Sequence, residues 1–143
     1  MLATDFKICT GSWAELKQDA QSIREQVFIQ EQKIAAEDEW DAEDATALHF
    51  IIYDQYQAIA TARLLNDYSV GRVAVLKVSR GLGIGKLLMQ AVIEYAKQHQ
   101  YEFLKLSAQV HAIAFYTQLG FKREGAEYLD CGIPHIEMRH VFT

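Results

Sequence analysis

Cysteine is scarce in this 143-residue chain: only Cys9 and Cys131 occur, with no CxxC pair. A disulfide scaffold is therefore not expected, and a reducing compartment suits the chain better. The five histidines and the acidic residues show no HxxH or HExxH spacing, so no metal site is expected. Basic residues number 14 against 19 acidic ones, a net charge of −5, which removes the electrostatic basis for nucleic-acid binding. Long apolar runs are absent as well. Stretches such as "FIIY" and "VAVL" are far too short to span a bilayer, and the N-terminus has no basic flank followed by an apolar signal core. These absences point to a soluble, cytoplasmic protein. What is present is ordinary globular composition, half hydrophobic and 23% charged, at a length that predicts a single domain over residues 1–143.

Periodicity supplies the elements. Leu2 to Cys9 reads as a short strand. Ser12 and Glu15 then have the capping-box spacing, and Leu16, Ala20, Ile23 and Val27 share one helical face. The acidic segment "EQKIAAEDEWDAEDA" has no steady period and reads as a loop or irregular turns. "LHFIIY" and "AIATARLL", joined by "DQYQ", predict a hairpin, and "SVGRVAVL" a third strand with Gly71 at a bend. A helix follows, with Leu87, Leu88, Ala91, Val92, Tyr95 and Ala96 inward. "EFLKLSA" is a strand, and "AIAFYTQL" a short helix stopped by Gly120. Two closing strands complete the chain, the last beginning at Pro134, its only proline. The order β, α, three strands, α, β, α, two strands predicts an α/β or α+β fold.

Between the third strand and its helix lies "SRGLGIGKLL". A glycine turn at a helix N-terminus is an anion site, because the first-turn N–H groups lack partners and the helix dipole is positive there. A P-loop is excluded: Arg80 stands where its first glycine belongs, and Leu87 where its magnesium-binding hydroxyl belongs. A dinucleotide fingerprint fits poorly, since Gly81, Gly83 and Gly85 are spaced GxGxG and follow hairpin-connected strands. The spacing of Arg80, Gly83 and Gly85 is instead R-x-x-G-x-G. Here the sequence resembles the GNAT superfamily of acyl-CoA N-acyltransferases, whose pyrophosphate loop is [QR]-x-x-G-x-[GA]. "AIAFYTQLGF" is similar to the second hallmark of that family, and the element order matches along essentially the whole chain. Segments including "REQVFIQEQ", "EDEWDAED", "TARLL", "RGLGIG" and "GIPHIEM" resemble the ElaA-like (YjcF-like) branch.

The resemblance implies a mixed, mostly antiparallel sheet flanked by helices and an N-acetyltransferase using acetyl-CoA as acyl donor, with no metal. It implies that the backbone of Val73, Ala74 and Val75 pairs with the pantetheine arm. The loop Arg80, Gly81, Leu82, Gly83, Ile84, Gly85 and Lys86 would hold the pyrophosphate, and Gln109 and Phe115 would line the cofactor. The Val75 N–H is the implied oxyanion donor, and Tyr116 the general acid; by spacing alone Tyr116 reads as core. For the base, the residues leave several choices open. Glu39 and Asp41, with Asp44, come from the acidic segment, which also fits a solvated face, and His135 opens the last strand. Arg63 is expected to shape the acceptor pocket, and Cys131 to be a bystander. The implied partners are acetyl-CoA and an unidentified amine, with no nucleic acid and no membrane, in a monomer or homodimer. A different class also fits the loop: an acyl-CoA sensor or interaction module without turnover.

Overall fold

The computed structural model describes residues 6–142. Strand β1 (Phe6–Gly11) leads to α1 (Trp13–Arg24) through Ser12. The capping box forms: the Glu15 N–H donates to Ser12 Oγ at 3.3 Å and the Ser12 N–H to Glu15 Oε1 at 2.9 Å. Residues Leu2 to Asp5 of the expected first strand lie outside the described residues. The expected apolar face holds, with Ala20, Ile23 and Val27 buried. Helix α1 runs on into a π-helical turn, Glu25–Glu31, which buries Val27 and Phe28.

The acidic segment forms two short helical turns, α2 (Ala36–Glu39) and a 3₁₀ turn, Ala42–Ala45, folded around Arg24, and it departs from a solvated face at two positions. Glu39 and Asp44 are only 2% and 3% exposed, and Arg24 is 1% exposed. Arg24 donates from Nε to Glu39 Oε2 at 2.8 Å, and from Nη1 and Nη2 to the two oxygens of Asp44 at 2.7 and 3.1 Å. Its guanidinium also lies over the rings of Trp13 and Trp40. Charge-assisted, bidentate pairing of this kind is what allows ions to leave water.

Strands β2 (Leu48–Asp54) and β3 (Gln57–Leu64) form the hairpin, turning at Gln55 and Tyr56. Next come β4 (Ser69–Val75), α3 (Ile84–Gln98), β5 (Phe103–Gln109), α4 (Ile113–Gln118), β6 (Lys122–Asp130) and β7 (Ile133–Val141). The seven strands make one sheet in the order β1-β2-β3-β4-β5-β7-β6. Its centre is covered on both faces. His49 packs on Trp13 of α1 while Phe50 meets Tyr95 of α3, so neighbouring residues of β2 point to opposite layers. Phe50, Ile51 and Ile52 are accordingly all buried. On α3 the inward stripe is Ile84, Leu88, Val92 and Ala96 with Met89, a little rotated from expectation; Leu87, Ala91 and Tyr95 are half-buried. At the far edge, every residue of β6 is exposed.

One join in the sheet positions the site. All strand pairs are antiparallel except β4 with β5, which pair in parallel only at Ser69–Lys105 and Val70–Leu106 and then diverge. The divergence begins where β4 bulges. Between the pairs Thr61–Ala74 and Arg63–Gly71, three steps on β4 oppose two on β3, and Arg72 takes φ 51°. A bulge bends its strand and increases local twist.

Candidate active site

The gap between β4 and β5 opens into a cleft of about 1090 Å³, walled also by the π-helical turn, the glycine loop, α4 and the β6–β7 turn. Which backbone groups face it follows from the ladder. The Leu76 N–H donates to the Ile59 carbonyl on β3 at 2.9 Å. In a strand, adjacent residues turn their N–H and C=O to opposite sides, so those of Val75 point away from β3 into the gap. The Val75 carbonyl confirms the direction by accepting from Arg80 Nε at 3.0 Å.

The glycine loop sits at one end of the gap. Gly81 and Gly83 have φ 83° and 79°, and no heavy atom lies within 4 Å of where a Cβ would stand on either. Glycine is needed there for the left-handed backbone, and the cradle in front of it is open. Gly85 is closely packed rather than left-handed. A Cβ there would meet Phe115 Cζ at 3.3 Å, so Phe115 acts as the packing surface under the start of α3. Gly83 is the N-cap of α3 and offers no side chain, which leaves the first-turn N–H groups of Ile84, Gly85 and Lys86 without helical partners. These donors and the dipole of a 15-residue helix fit a pyrophosphate. Lys86 and Leu82 are exposed beside them. Arg80 lines the cleft as well, and its Nη1 and Nη2 grip Glu31 at 2.6 and 2.7 Å.

Tyr116 on α4 lines the cleft, 8% exposed, with its ring edge-on to Phe115 and Phe121. Burial pushes its hydroxyl up to about 12, so it stays protonated at neutral pH. Gln109, at the end of β5, donates to Gln32 Oε1 at 2.9 Å and pairs with His111 Nε2 at 2.7 Å.

The candidate bases differ sharply. Asp41 is held down at about 2, chiefly by its hydrogen bonds from Arg63 (Nη1 to Oδ1, 2.7 Å; Nη2 to Oδ2, 2.9 Å), so it has little affinity for a proton. Glu39 lines the cleft and is pushed up by burial, against the opposing pull of Arg72 and Arg24. His135 also lines the cleft, and its Nδ1 is 2.7 Å from the Ile133 carbonyl. That contact requires a proton on Nδ1, which leaves the lone pair of the neutral ring on Nε2. Arg63 is buried beneath the acids and pairs with Asp44 as well, so it supports this end of the cleft from below. Cys131 is exposed at the β6–β7 turn; burial and the nearby Asp130 and Asp38 push its thiol up, away from the reactive thiolate. Sequence reasoning missed Glu31, Gln32, Arg24 and Arg72. Among the described residues no helix is long and apolar enough to cross a membrane.

A sheet splayed beside a glycine-capped helix, with free strand amides facing the gap, defines an acyltransferase of the acyl-CoA N-acyltransferase fold. The chain belongs to the GNAT family: the acetyltransferase (GNAT) domain pattern matches residues 15–142. It is 34% identical over 128 residues to YjcF of Bacillus subtilis, named an uncharacterized N-acetyltransferase, covering 87% of this chain and 91% of that one. An acyl-CoA N-acyltransferase from Pseudomonas aeruginosa superposes with TM-score 0.86 at 30% identity, over 95% of this chain and 99% of the other. Escherichia coli ElaA superposes with TM-score 0.85 at 28% identity, over 95% and 99%. The ElaA/YjcF-like branch is thus supported at the levels of both sequence and fold.

Proposed function

We propose that this protein transfers the acetyl group of acetyl-CoA to a primary amine, by direct attack of the amine on the thioester while both occupy the cleft. The observation that carries this is the orientation of Val75: its amide N–H faces the gap vacated by β5, between the glycine loop and Tyr116. Apart from the acetyl donor and the amine, every component is supplied by the chain. The open glycines and first-turn N–H groups of α3 receive the pyrophosphate, and the free edge of β4 pairs with the extended pantetheine arm as an added strand would. The Val75 N–H donates to the thioester oxygen as negative charge develops on it, a contact typically worth about 3–4 kcal/mol.

Proton bookkeeping assigns the remaining roles. An alkyl ammonium keeps its proton up to roughly pH 10, so it must lose one before attack. His135 Nε2 takes that proton, directly or through water, since its lone pair is fixed by the Nδ1 contact. Asp41 is unsuited because Arg63 has already claimed its charge. As nitrogen bonds to the carbonyl carbon and the C–S bond breaks, Tyr116 gives its hydroxyl proton to the sulfur and regains one from the amine or solvent.

The test is acetyl-CoA-dependent thiol release across a panel of amines, amino sugars and lysine peptides, with an acceptor-free control. Release that requires an acceptor is the expected result. Acetyl-CoA that neither turns over nor raises the temperature of unfolding would end the proposal.

A further inference from the structure

The π-helical turn ends at Glu31 and is followed by its cap Gln32, and each of these polar residues is tied to a different wall of the cleft. Glu31 takes the guanidinium of Arg80 in a two-point grip, at 2.6 and 2.7 Å, while Arg80 Nε donates to the Val75 carbonyl at 3.0 Å. Gln32 accepts from Gln109 Nε2 at 2.9 Å, at the point where β5 ends. Glu31 and Gln32 are adjacent in the chain, so one turn of backbone joins the β4 wall to the β5 wall.

Arg80 is the residue that a motif reading would give to the cofactor phosphates. Its surroundings suit a different task. The carboxylate of Glu31 cancels its charge, and three of its five N–H groups are already used. A neutralised guanidinium offers a pyrophosphate little net attraction, whereas the first turn of α3 and the exposed Lys86 remain free to provide it. What Arg80 does control is the carbonyl of Val75. Holding that carbonyl toward the gap holds the Val75 N–H on the same side.

We infer that Glu31 and Arg80 are positioning residues for acyl transfer, acting through Val75, and that with the Gln32–Gln109 pair they brace the two cleft walls at a fixed separation. This rests on the acetyl-CoA reading of the cleft. The brace acts on the acyl end of the donor and is indifferent to the pyrophosphate.

Two donors separate the alternatives: acetyl-CoA, and S-acetyl-pantetheine, which has no pyrophosphate. Wild type, Glu31→Gln, Arg80→Gln and the double variant are assayed with both, and the Kd for CoA is measured by calorimetry. Glu31→Gln preserves shape and Arg80 is well exposed, and urea unfolding midpoints verify that the variants stay folded. Positioning predicts that each single variant lowers kcat about tenfold with either donor. It also predicts that the double variant is no worse than the worse single, and that the Kd for CoA changes less than twofold. The inference is overturned if Arg80→Gln raises KM and Kd for the CoA donor tenfold or more while leaving S-acetyl-pantetheine untouched, or if Glu31→Gln tightens CoA by freeing Arg80. Unchanged kinetics in all variants would also overturn it. Failure of the underlying acetyl-CoA reading looks different, because wild type itself would then neither bind CoA nor release thiol, and the inference would fall with it.

Discussion

At the scale of single residues, Tyr116 is the proposed proton donor, and its surroundings keep it neutral. Its ring is packed among Phe115 and Phe121 and its hydroxyl is pushed up to about 12, so at neutral pH it has a proton to give and no charge to solvate. Tyr116→Phe removes one oxygen and leaves the ring packing intact. The expected outcome is a kcat lowered roughly a hundredfold, the usual scale for a general acid, with thermal protection by acetyl-CoA unchanged. Steady-state thiol release alongside thermal unfolding would measure both, and an undiminished kcat would remove Tyr116 from the mechanism. The tyrosine itself was legible because it sits in a local motif. Glu31 and Gln32 were not, because their partners lie 49 and 77 residues away in the chain. No local pattern encodes such a contact.

At the scale of elements, the segment from Ala36 to Ala45 departs furthest from its composition. A run of acids reads as solvated surface, yet here two of them are buried because Arg24, on the preceding helix, reaches into the turn they form. The helical period placed Ile23 and Val27 inward correctly; a buried arginine beside them breaks the apolar pattern and gives no signal of its own. The cost of breaking the set is asymmetric. Arg24→Met would leave Glu39 without one of its two arginines, and would leave Asp44 with Arg63 alone. Removing one partner of a buried ion group typically costs about 3–5 kcal/mol, and urea denaturation should show a loss of that size. A loss under about 1 kcal/mol, the scale of exposed pairs, would mean that the charges are not dry. The glycine loop, in contrast, was readable as an element because its requirement is local: Gly81 and Gly83 must be left-handed whatever surrounds them.

For the whole molecule, element order was legible from periodicity, and sheet order was not. Nothing in the strand sequences states that β7 lies between β5 and β6, or that β4 and β5 part after two pairs; the family resemblance implied only a mixed, mostly antiparallel sheet flanked by helices. Acid stability is a property at this scale and has a definite sign. Asp41 titrates at about 2 in the folded chain against an ordinary 3.8. As pH falls from about 4 toward 2, the unfolded chain therefore takes up a proton that the folded chain refuses, and stability is lost. Glu39 runs the other way, since its raised carboxyl favours the folded state as it protonates. Urea midpoints between pH 5 and 2 should fall more steeply in wild type than in Asp41→Asn; identical slopes would show that Arg63 does not hold Asp41 down.

The uniformly exposed strand β6 has a consequence for how such a protein can change over generations. It ends at Asp130 and leads into the turn and strand that carry Cys131 and His135 to the cleft, while the glycine-loop end rests on the buried centre of the sheet. Substitutions at exposed positions usually shift stability by less than about 0.5 kcal/mol. On the proposed reading, the exposed positions that border the β6–β7 end of the cleft can therefore change at little cost to folding while the glycine-loop end stays fixed, so that one scaffold can try new amines without relearning how to hold its acyl donor.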